Sequence, residues 1–175
     1  MTNAIANIGI RAAQLIFAAI VCGLSIDLAK GHKNGGLPVT LGYVSFVGCV
    51  SLLAGFVGLA STWVEKLQGK IGLIVDGFIM VANLAGGLLV AVKLGGIKCD
   101  KNDDSAFDMC RNDLMNGGPW DGEYYPGYYC NTTGGGDQLV ARCKKNQADS
   151  AFMFLTVIVL LVSLTLTYLR MKKGF

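Results

Sequence analysis

Hydrophobic positions along the chain fall into four long runs that are separated by polar segments. The runs cover residues 8–29, 41–64, 71–94 and 151–169. About 20 consecutive apolar residues are enough to cross the hydrocarbon core of a bilayer. Backbone donors and acceptors cannot reach water there, so a spanning segment has to be helical. The pattern therefore predicts an all-α membrane protein, a left-handed four-helix transmembrane bundle in which residues 1–175 form a single domain.

The polar connections differ in length and set the predicted topology. Residues 30–40 and 65–70 form short links, whereas residues 95–147 form one long polar loop between the third and fourth helices. An even number of spans places both termini on one side and this loop on the other. Lys and Arg are denser per residue on the terminal side, and the positive-inside rule then favours cytosolic termini. The prediction is a multi-pass protein with both termini in the cytosol.

Four of the six cysteines lie in the long loop, at Cys99, Cys110, Cys130 and Cys143. An even set confined to one polar loop indicates disulfides and hence a lumenal or extracellular side. A metal site is the weaker interpretation, since the loop has neither a C-x₂-C pair nor a histidine. Three pairings are possible. The similar predicted heights of the loop ends above the membrane favour Cys99–Cys143, with Cys110–Cys130 inside the loop.

The same loop carries other candidate features. Asn131-Thr132-Thr133 is an N-glycosylation sequon, which is usable only on the extracellular side. Amphipathic aromatic rings cluster just before it, and they form either the core of a small stapled cap or a contact surface for a partner or glycan. These rings belong to Trp120, Tyr124, Tyr125, Tyr128 and Tyr129.

One carboxylate interrupts the third apolar run. Asp76 lies about 7.5 Å inside the third helix from the terminal side, and Arg11 lies about 4.5 Å inside the first helix from the same side. Because their depths nearly match, we expect an intramembrane Arg11–Asp76 ion pair. The alternative is a proton or cation site at Asp76 with Asn83 two turns deeper, in a small channel or transporter.

Small residues recur in the second and third helices at a spacing of four. Such small-x₃-small pairs allow two membrane helices to approach closely. They can pack within one bundle or mediate lateral self-association, and the sequence leaves both open. The pairs are Ser51 with Gly55, Ala54 with Gly58, and Ala82 with Gly86.

Composition narrows the function classes. The chain is 53% hydrophobic and only 15% charged, which is typical of a membrane protein. The net charge of +3 is spread out with no basic run, so nucleic acid is not an expected partner. No nucleophile–base pair, phosphate loop or redox C-x-x-C motif occurs, and we expect neither an enzyme nor a cofactor. The terminal "KKGF" is similar to a dilysine retrieval signal, so the sequence leaves open in which cellular membrane the protein resides.

Three stretches resemble one known family. They are "NIGIRAAQLIFAAIVCGLSIDLA", "VDGFIMVANLAGGLLVAVKLGGIKC" and "ARCKKNQADSAFMFLTVIVLL". They resemble the fungal non-classical export protein family, four-helix membrane proteins of the MARVEL class. The shared features are Asn-x₃-Arg at the start of the first helix, an early Asp in the third, a Cys soon after it, and "RC…QA…AF" before the fourth.

The resemblance implies a location and a role. It implies a fungal plasma-membrane protein of eisosome-type furrows, which organises lateral membrane domains without catalysis. Sphingolipid response, trafficking and unconventional secretion are the associated processes. Implied partners are membrane lipids such as sterol or sphingolipid, further copies of the chain, and other plasma-membrane proteins. Arg11, Asp76, Cys99 and Cys143 match the family pattern, and none of them is catalytic there.

Overall fold

The computed structural model describes residues 2–32, 35–60, 70–100, 103–118 and 136–172. These residues form helices α1 (Thr2–Lys30), α2 (Val39–Ala60), α3 (Lys70–Leu94), α4 (Asp103–Arg111) and α5 (Gly136–Lys172). Four of the five, all except α4, are long and apolar enough to cross a membrane. The predicted all-α architecture with four membrane-spanning helices is therefore confirmed.

The predicted long loop, residues 95–147, begins where α3 ends, but its predicted end is wrong. Residues 103–111 form helix α4, and α5 begins at Gly136, well before the predicted start at residue 151. Apolarity alone defined the predicted span, and residues 136–150 are too polar to meet that criterion. Their buried positions, which include Leu139, Cys143 and Asn146, nevertheless follow a helical spacing that faces the bundle. Helix α1 likewise begins earlier than predicted, at Thr2, and residues 61–64 of the predicted second span lie outside the described residues.

Buried positions repeat at alternating intervals of three and four residues. In α1 this series is Arg11, Gln14, Ala18, Val21, Ser25 and Leu28, and the neighbouring Cys22 is also buried. In α3 a matching series runs through Asp76, Ile79, Asn83 and Val90. A repeat of 3.5 residues is shorter than the 3.6-residue turn, so helices that keep one seam inward have to supercoil with a left hand. The polar residues of the membrane spans thus lie in the same seam as the apolar core.

Small residues set the closest approaches between helices. A methyl group on Gly48 would lie 3.0 Å from the backbone N and Cα of Cys22, so α1 and α2 are in backbone contact there. A methyl group on Gly55 would contact Leu15, and one on Gly86 would lie 2.6 Å from Met153 Cε. Ser51 and Ala54 are buried in the same interior. Gly58 lies against Arg11, and the half-buried Ala82 packs against the core. The predicted small pairs are used for packing within one bundle.

A small cap closes the loop end of the bundle. It consists of residues 95–100 and 103–118, which include α4. Helix α3 ends at Leu94, where Gly96 takes a positive φ of 86° and turns the chain back. Met109 of α4 and the following Leu114 and Met115 are fully buried and extend the main core. A disulfide joins Cys99 to Cys143 of α5, with 5.6 Å between their Cα atoms. The predicted closure of the loop base by Cys99–Cys143 is confirmed.

Candidate functional site

Arg11 and Asp76 form a buried ion pair near the terminal end of the bundle. Arg11 Nη1 lies 2.8 Å from Asp76 Oδ1 and 2.7 Å from Asp76 Oδ2. The two side chains are only 8% and 4% exposed. A charge that is buried without a partner is very costly, whereas a hydrogen-bonded pair offsets much of that cost. The structure thus brings together the two residues whose depths match in the sequence.

Two neutral side chains complete this cluster. Arg11 Nη1 also donates to Gln14 Oε1 at 2.9 Å, and Ser163 Oγ donates to Asp76 Oδ2 at 3.2 Å. The guanidinium lies against Gly58 of α2, where a methyl group would lie 2.9 Å from Nη1. One cluster therefore links α1, α3 and α5 and packs against α2. We refer to Arg11, Gln14, Asp76 and Ser163 as the ion-pair cluster.

Some donors of this cluster are left unpaired. Arg11 Nε and Gln14 Nε2 are buried, and neither has a hydrogen-bond partner among the residues that the structure describes. A cavity of about 30 Å³ lies beside the pair, between α2 and α3. Its lining comprises Arg11, Ala54, Val57, Gly58, Ile71, Gly72, Val75 and Asp76. Buried polar groups normally have a protein or water partner, so these donors call for an explanation.

Asn83 occupies the middle of the bundle. Its Nδ2 donates to Ser51 Oγ at 2.7 Å and to the Ile79 carbonyl at 2.8 Å. Asn83 is fully buried, and its Oδ1 has no hydrogen-bond partner among the described residues. The contact ties α3 to α2 through side chains at facing core positions. Asn83 and Asp76 therefore belong to separate hydrogen-bonded clusters, each held by side chains of its own neighbours.

A third polar cluster lies closer to the loop end, and the sequence analysis missed it. Asp149 is 1% exposed, and its Oδ2 accepts a hydrogen bond from Ser25 Oγ at 3.0 Å. Ser45 of α2 donates to the Ser25 carbonyl at 3.1 Å, and Ser150 donates to the Gly87 carbonyl at 3.0 Å. All four membrane helices meet at this level. Asp149 lies between the end of the predicted loop at residue 147 and the start of the predicted fourth span at residue 151, so neither prediction included it.

The family of the chain is clear from these helices and from a family comparison. The model of the membrane-associating domain called MARVEL matches residues 4–166, which is nearly the whole chain. The chain belongs to the MARVEL family. No curated protein and no solved structure matches it. With four membrane-spanning helices, this MARVEL domain is a multi-pass membrane protein.

Salt bridges surround the loop end of the MARVEL domain. Lys93 Nζ lies 2.6 Å from Asp113 Oδ2, and Lys145 Nζ lies 2.5 Å from Asp27 Oδ2. These four side chains are about half exposed, so each pair contributes little to stability. Arg142 donates to the Leu28 carbonyl at 3.1 Å and to the Met115 carbonyl at 3.3 Å. Arg142 thereby connects α1, the cap and α5.

The remaining cysteines of the MARVEL domain lie in two places. Cys22 and Cys49 are free thiols whose Sγ atoms lie 3.1 Å apart at the α1–α2 contact. Cys110 is disulfide-bonded. Its predicted partner Cys130 lies outside the described residues, as do Asn131 and the aromatic residues Trp120, Tyr124, Tyr125, Tyr128 and Tyr129. Their predicted roles stay predictions.

Several buried polar side chains in the described part of the chain form hydrogen bonds between different helices. No group of three or more His, Cys, Asp or Glu side chains that could hold a metal ion occurs among the described residues. Sequence reasoning missed buried polar residues such as Gln14 and Ser163, because it did not determine which side of each helix faces the bundle interior. The seven-residue spacing of Gln14, Val21 and Leu28, and of Asp149, Thr156 and Ser163, is the signal that could have found them.

Proposed function

We propose that this MARVEL protein is a non-enzymatic organiser of lateral domains in the plasma membrane. In this role it contacts membrane lipids, with sterol or sphingolipid as candidates, and associates with further copies or with other membrane proteins. As the sequence resemblance implies, the domains would be eisosome-type furrows that serve sphingolipid response, trafficking or unconventional secretion. Both termini would lie in the cytosol and the cap outside.

One observation carries this proposal. The buried polar side chains of the spans face the interior, while large apolar side chains face outward. On α2 and α3 the outward residues include Phe46, Leu53, Phe56, Ile74, Phe78 and Val81, each more than half exposed. A bundle that is closed inside and apolar outside acts on its surroundings through lipid contact and helix contact.

Location and clustering in a fungal cell test the proposal. A fluorescent fusion should form immobile patches at the plasma membrane that coincide with furrow markers, and its fluorescence should recover slowly after bleaching. A matched variant with Lys172→Ser and Lys173→Ser separates this location from retrieval by "KKGF". Uniform, freely diffusing fluorescence in both forms would contradict a domain-organising role.

Self-association is tested separately with purified protein. Donor- and acceptor-labelled copies in vesicles should show energy transfer above the random-proximity level as the protein is diluted with lipid. Mass photometry in mild detergent should then show species larger than one chain. Monomers in both measurements would leave lipids and other proteins as the only partners.

A small channel or transporter that uses Asp76 and Asn83 is the competing function. The geometry favours it less, because Asp76 is paired with Arg11 and Asn83 is held by Ser51. Proton or cation flux into proteoliposomes that vanished in Asp76→Asn, with the fold retained, would support the channel and overturn the structural role.

A further inference from the structure

The cavity beside the ion-pair cluster opens toward the membrane. Its walls come from Ala54, Val57 and Gly58 of α2 and from Ile71, Gly72 and Val75 of α3. Val57 and Ile71 are 49% and 62% exposed, so in a bilayer the rim of the cavity faces lipid. A methyl group on Gly58 would lie 2.9 Å from Arg11 Nη1, so glycine at this wall position lets α2 approach the guanidinium. A lipid can therefore reach this cavity directly from the bilayer.

The polar atoms of the cavity define what it can bind. Arg11 is 94% buried and lines the cavity, and its Nε has no hydrogen-bond partner in the described part of the chain. Asp76 already neutralises the guanidinium charge. An anionic phosphate would therefore meet the Asp76 carboxylate as well as the arginine. The complementary group is a neutral oxygen that accepts a hydrogen bond and is attached to hydrocarbon.

Depth in the membrane identifies the source of that oxygen. Arg11 lies four residues beyond Asn7, where its apolar span begins, and Asp76 lies five residues beyond Ile71. At 1.5 Å per residue these positions are about 6 and 7.5 Å inside the spans. Buried charges near a helix end also draw the polar boundary of the bilayer inward. The acyl esters of phospholipids, which join the headgroup to the chains, lie at the edge of the hydrocarbon core, so a boundary drawn inward brings them toward the pair.

We propose that this cavity binds the acyl-ester end of a membrane phospholipid, whose carbonyl oxygen accepts a hydrogen bond from Arg11 Nε. The volume of about 30 Å³ is about twice what one water needs, so it admits the carbonyl and the adjoining methylene. The rest of the chain stays in the bilayer and passes between Val57 and Ile71. The inference rests on the proposed function, in that the bundle is surrounded by lipid, and adds one specific contact.

Ester and ether lipids test this contact. The protein is placed in nanodiscs of diacyl phosphatidylcholine or of the dialkyl ether analogue, which has the same chains and headgroup but no carbonyl. After transfer to detergent, native mass spectrometry measures the fraction of protein that retains one phospholipid. The expected fraction is about tenfold lower with the ether lipid, in keeping with the loss of one hydrogen bond to a charged donor.

Two tryptophan variants on α3 provide a matched pair. Ile71 lines the cavity, whereas Ile74 is 68% exposed on the same helix and does not line it. Ile71→Trp should reduce retention of the ester lipid about tenfold, and Ile74→Trp should leave it unchanged. Circular dichroism and unfolding measurements of both variants establish that each one folds.

Several outcomes overturn the contact. Equal retention of ester and ether lipid, or equal retention in both variants, would mean that the cavity holds only water or a non-specific chain. The energy-transfer assay, carried out in vesicles of the same lipids, separates this result from the proposed function. Clustering without ester-selective retention overturns the lipid contact alone, and ester-selective retention without clustering overturns self-association alone.

Discussion

Arg11 and Asp76 each occupy a position at which a lone charge would be costly. Insertion of one Arg or Asp at the centre of a membrane helix costs about 2.5–3.5 kcal/mol, and somewhat less nearer the helix end. In the folded bundle each residue has the other as its partner, with Ser163 donating a further hydrogen bond to Asp76. The pair is therefore only as stable as the arrangement of α1, α3 and α5 that holds it.

A double-mutant cycle tests this dependence. Arg11→Ala and Asp76→Ala should each lower the free energy of unfolding by about 3–5 kcal/mol, because each leaves an uncompensated buried charge. The double variant should lose less than the sum, since it removes both charges together. Reversible unfolding in mixed detergent micelles gives the four free energies.

Ser163→Ala provides the control within this cluster. It removes one hydrogen bond to Asp76 and leaves the ion pair in place, so its loss should be about 1.5–3 kcal/mol. Additive losses in the Arg11 and Asp76 cycle would show that the two side chains act independently and would contradict the pairing.

The sequence indicates how deep a charged residue lies along its helix, but not which side of the helix it occupies. Counting residues from the helix ends placed Arg11 and Asp76 at one level, and that was sufficient to pair them. Gln14 and Ser163 are polar residues that occur commonly in membrane helices, so nothing in their chemistry marked them. Only the position of the buried seam, which depends on neighbouring helices, decides that they face the pair.

His32 provides a pH-dependent probe just beyond α1. Burial lowers the pKa of His32 and the nearby Arg142 guanidinium lowers it further, while the backbone of Gly36 and the Asp113 carboxylate partly oppose this. When the pH falls, His32 in the unfolded segment takes up a proton at about pH 6.5. His32 in the folded structure does so only at a lower pH, because its pKa is lowered. Stability of this region should therefore be intact above that pH and decrease as the pH falls below it.

Hydrogen exchange measures the effect at the end of α1. Amides of residues 29–31, corrected for their intrinsic rates, should open more readily at pH 5.5 than at pH 7.5. His32→Gln keeps a polar side chain that does not titrate, so the difference between the two pH values should shrink. An unchanged difference in this variant would assign the pH effect to other groups.

At the scale of elements, the backbones of α1 and α2 approach most closely at one glycine. The Cα of Gly48 faces the backbone of Cys22, and any side chain there would meet main-chain atoms that cannot rotate away. By contrast, nothing lies within 4 Å of a methyl group built on Gly23 of the same pair of helices. The same substitution by alanine can therefore be compared at a crowded glycine, Gly48, and at an uncrowded one, Gly23.

Gly48→Ala should lower the free energy of unfolding by about 1–3 kcal/mol, because α1 and α2 have to move apart. Gly23→Ala should leave it unchanged or raise it by up to about 1 kcal/mol, since alanine is the better helix former. Unfolding titrations in the same micelles compare the two variants directly. Equal losses would show that helix flexibility, and not close approach, explains Gly48.

The helix limits show where sequence reasoning fails at this scale. The four apolar runs were sufficient to find the spans, because length and hydropathy decide whether a segment crosses a bilayer. They could not find the first fifteen residues of α5, whose polar residues make tertiary contacts instead. Leu139 and Cys143 pack under the cap, and Arg142 bonds carbonyls of two other segments. Such contacts are visible only once the helices are assembled.

For the whole molecule, the Cys99–Cys143 disulfide fixes the cap to the bundle. The bond closes a segment with a sequence separation of 44, so it restricts the unfolded chain strongly. Cys99→Ser with Cys143→Ser should lower the free energy of unfolding by about 2–4 kcal/mol. The cap should open before the bundle, because Met109, Leu114 and Met115 lose the constraint nearest to them.

Two measurements check this order of events. Hydrogen exchange of residues 105–116 should rise in the double serine variant, while that of residues 79–90 of α3 should stay close to the original. A Cys22→Ser variant, which removes a free thiol instead, should leave cap exchange unchanged. Equal loosening of cap and bundle would mean that they unfold as one unit.

Helix α5 runs without interruption for 37 residues, which corresponds to about 55 Å. The hydrocarbon core is only about 30 Å thick, so this helix extends well beyond it. One part of it is bonded to the cap through Cys143, and another part carries Ser163 of the ion-pair cluster. One continuous helix therefore connects the cap to the ion-pair cluster. A partner that tilted the cap would also displace Ser163 relative to Asp76, so a movement at the loop end would be transmitted to the ion-pair cluster without any solute crossing.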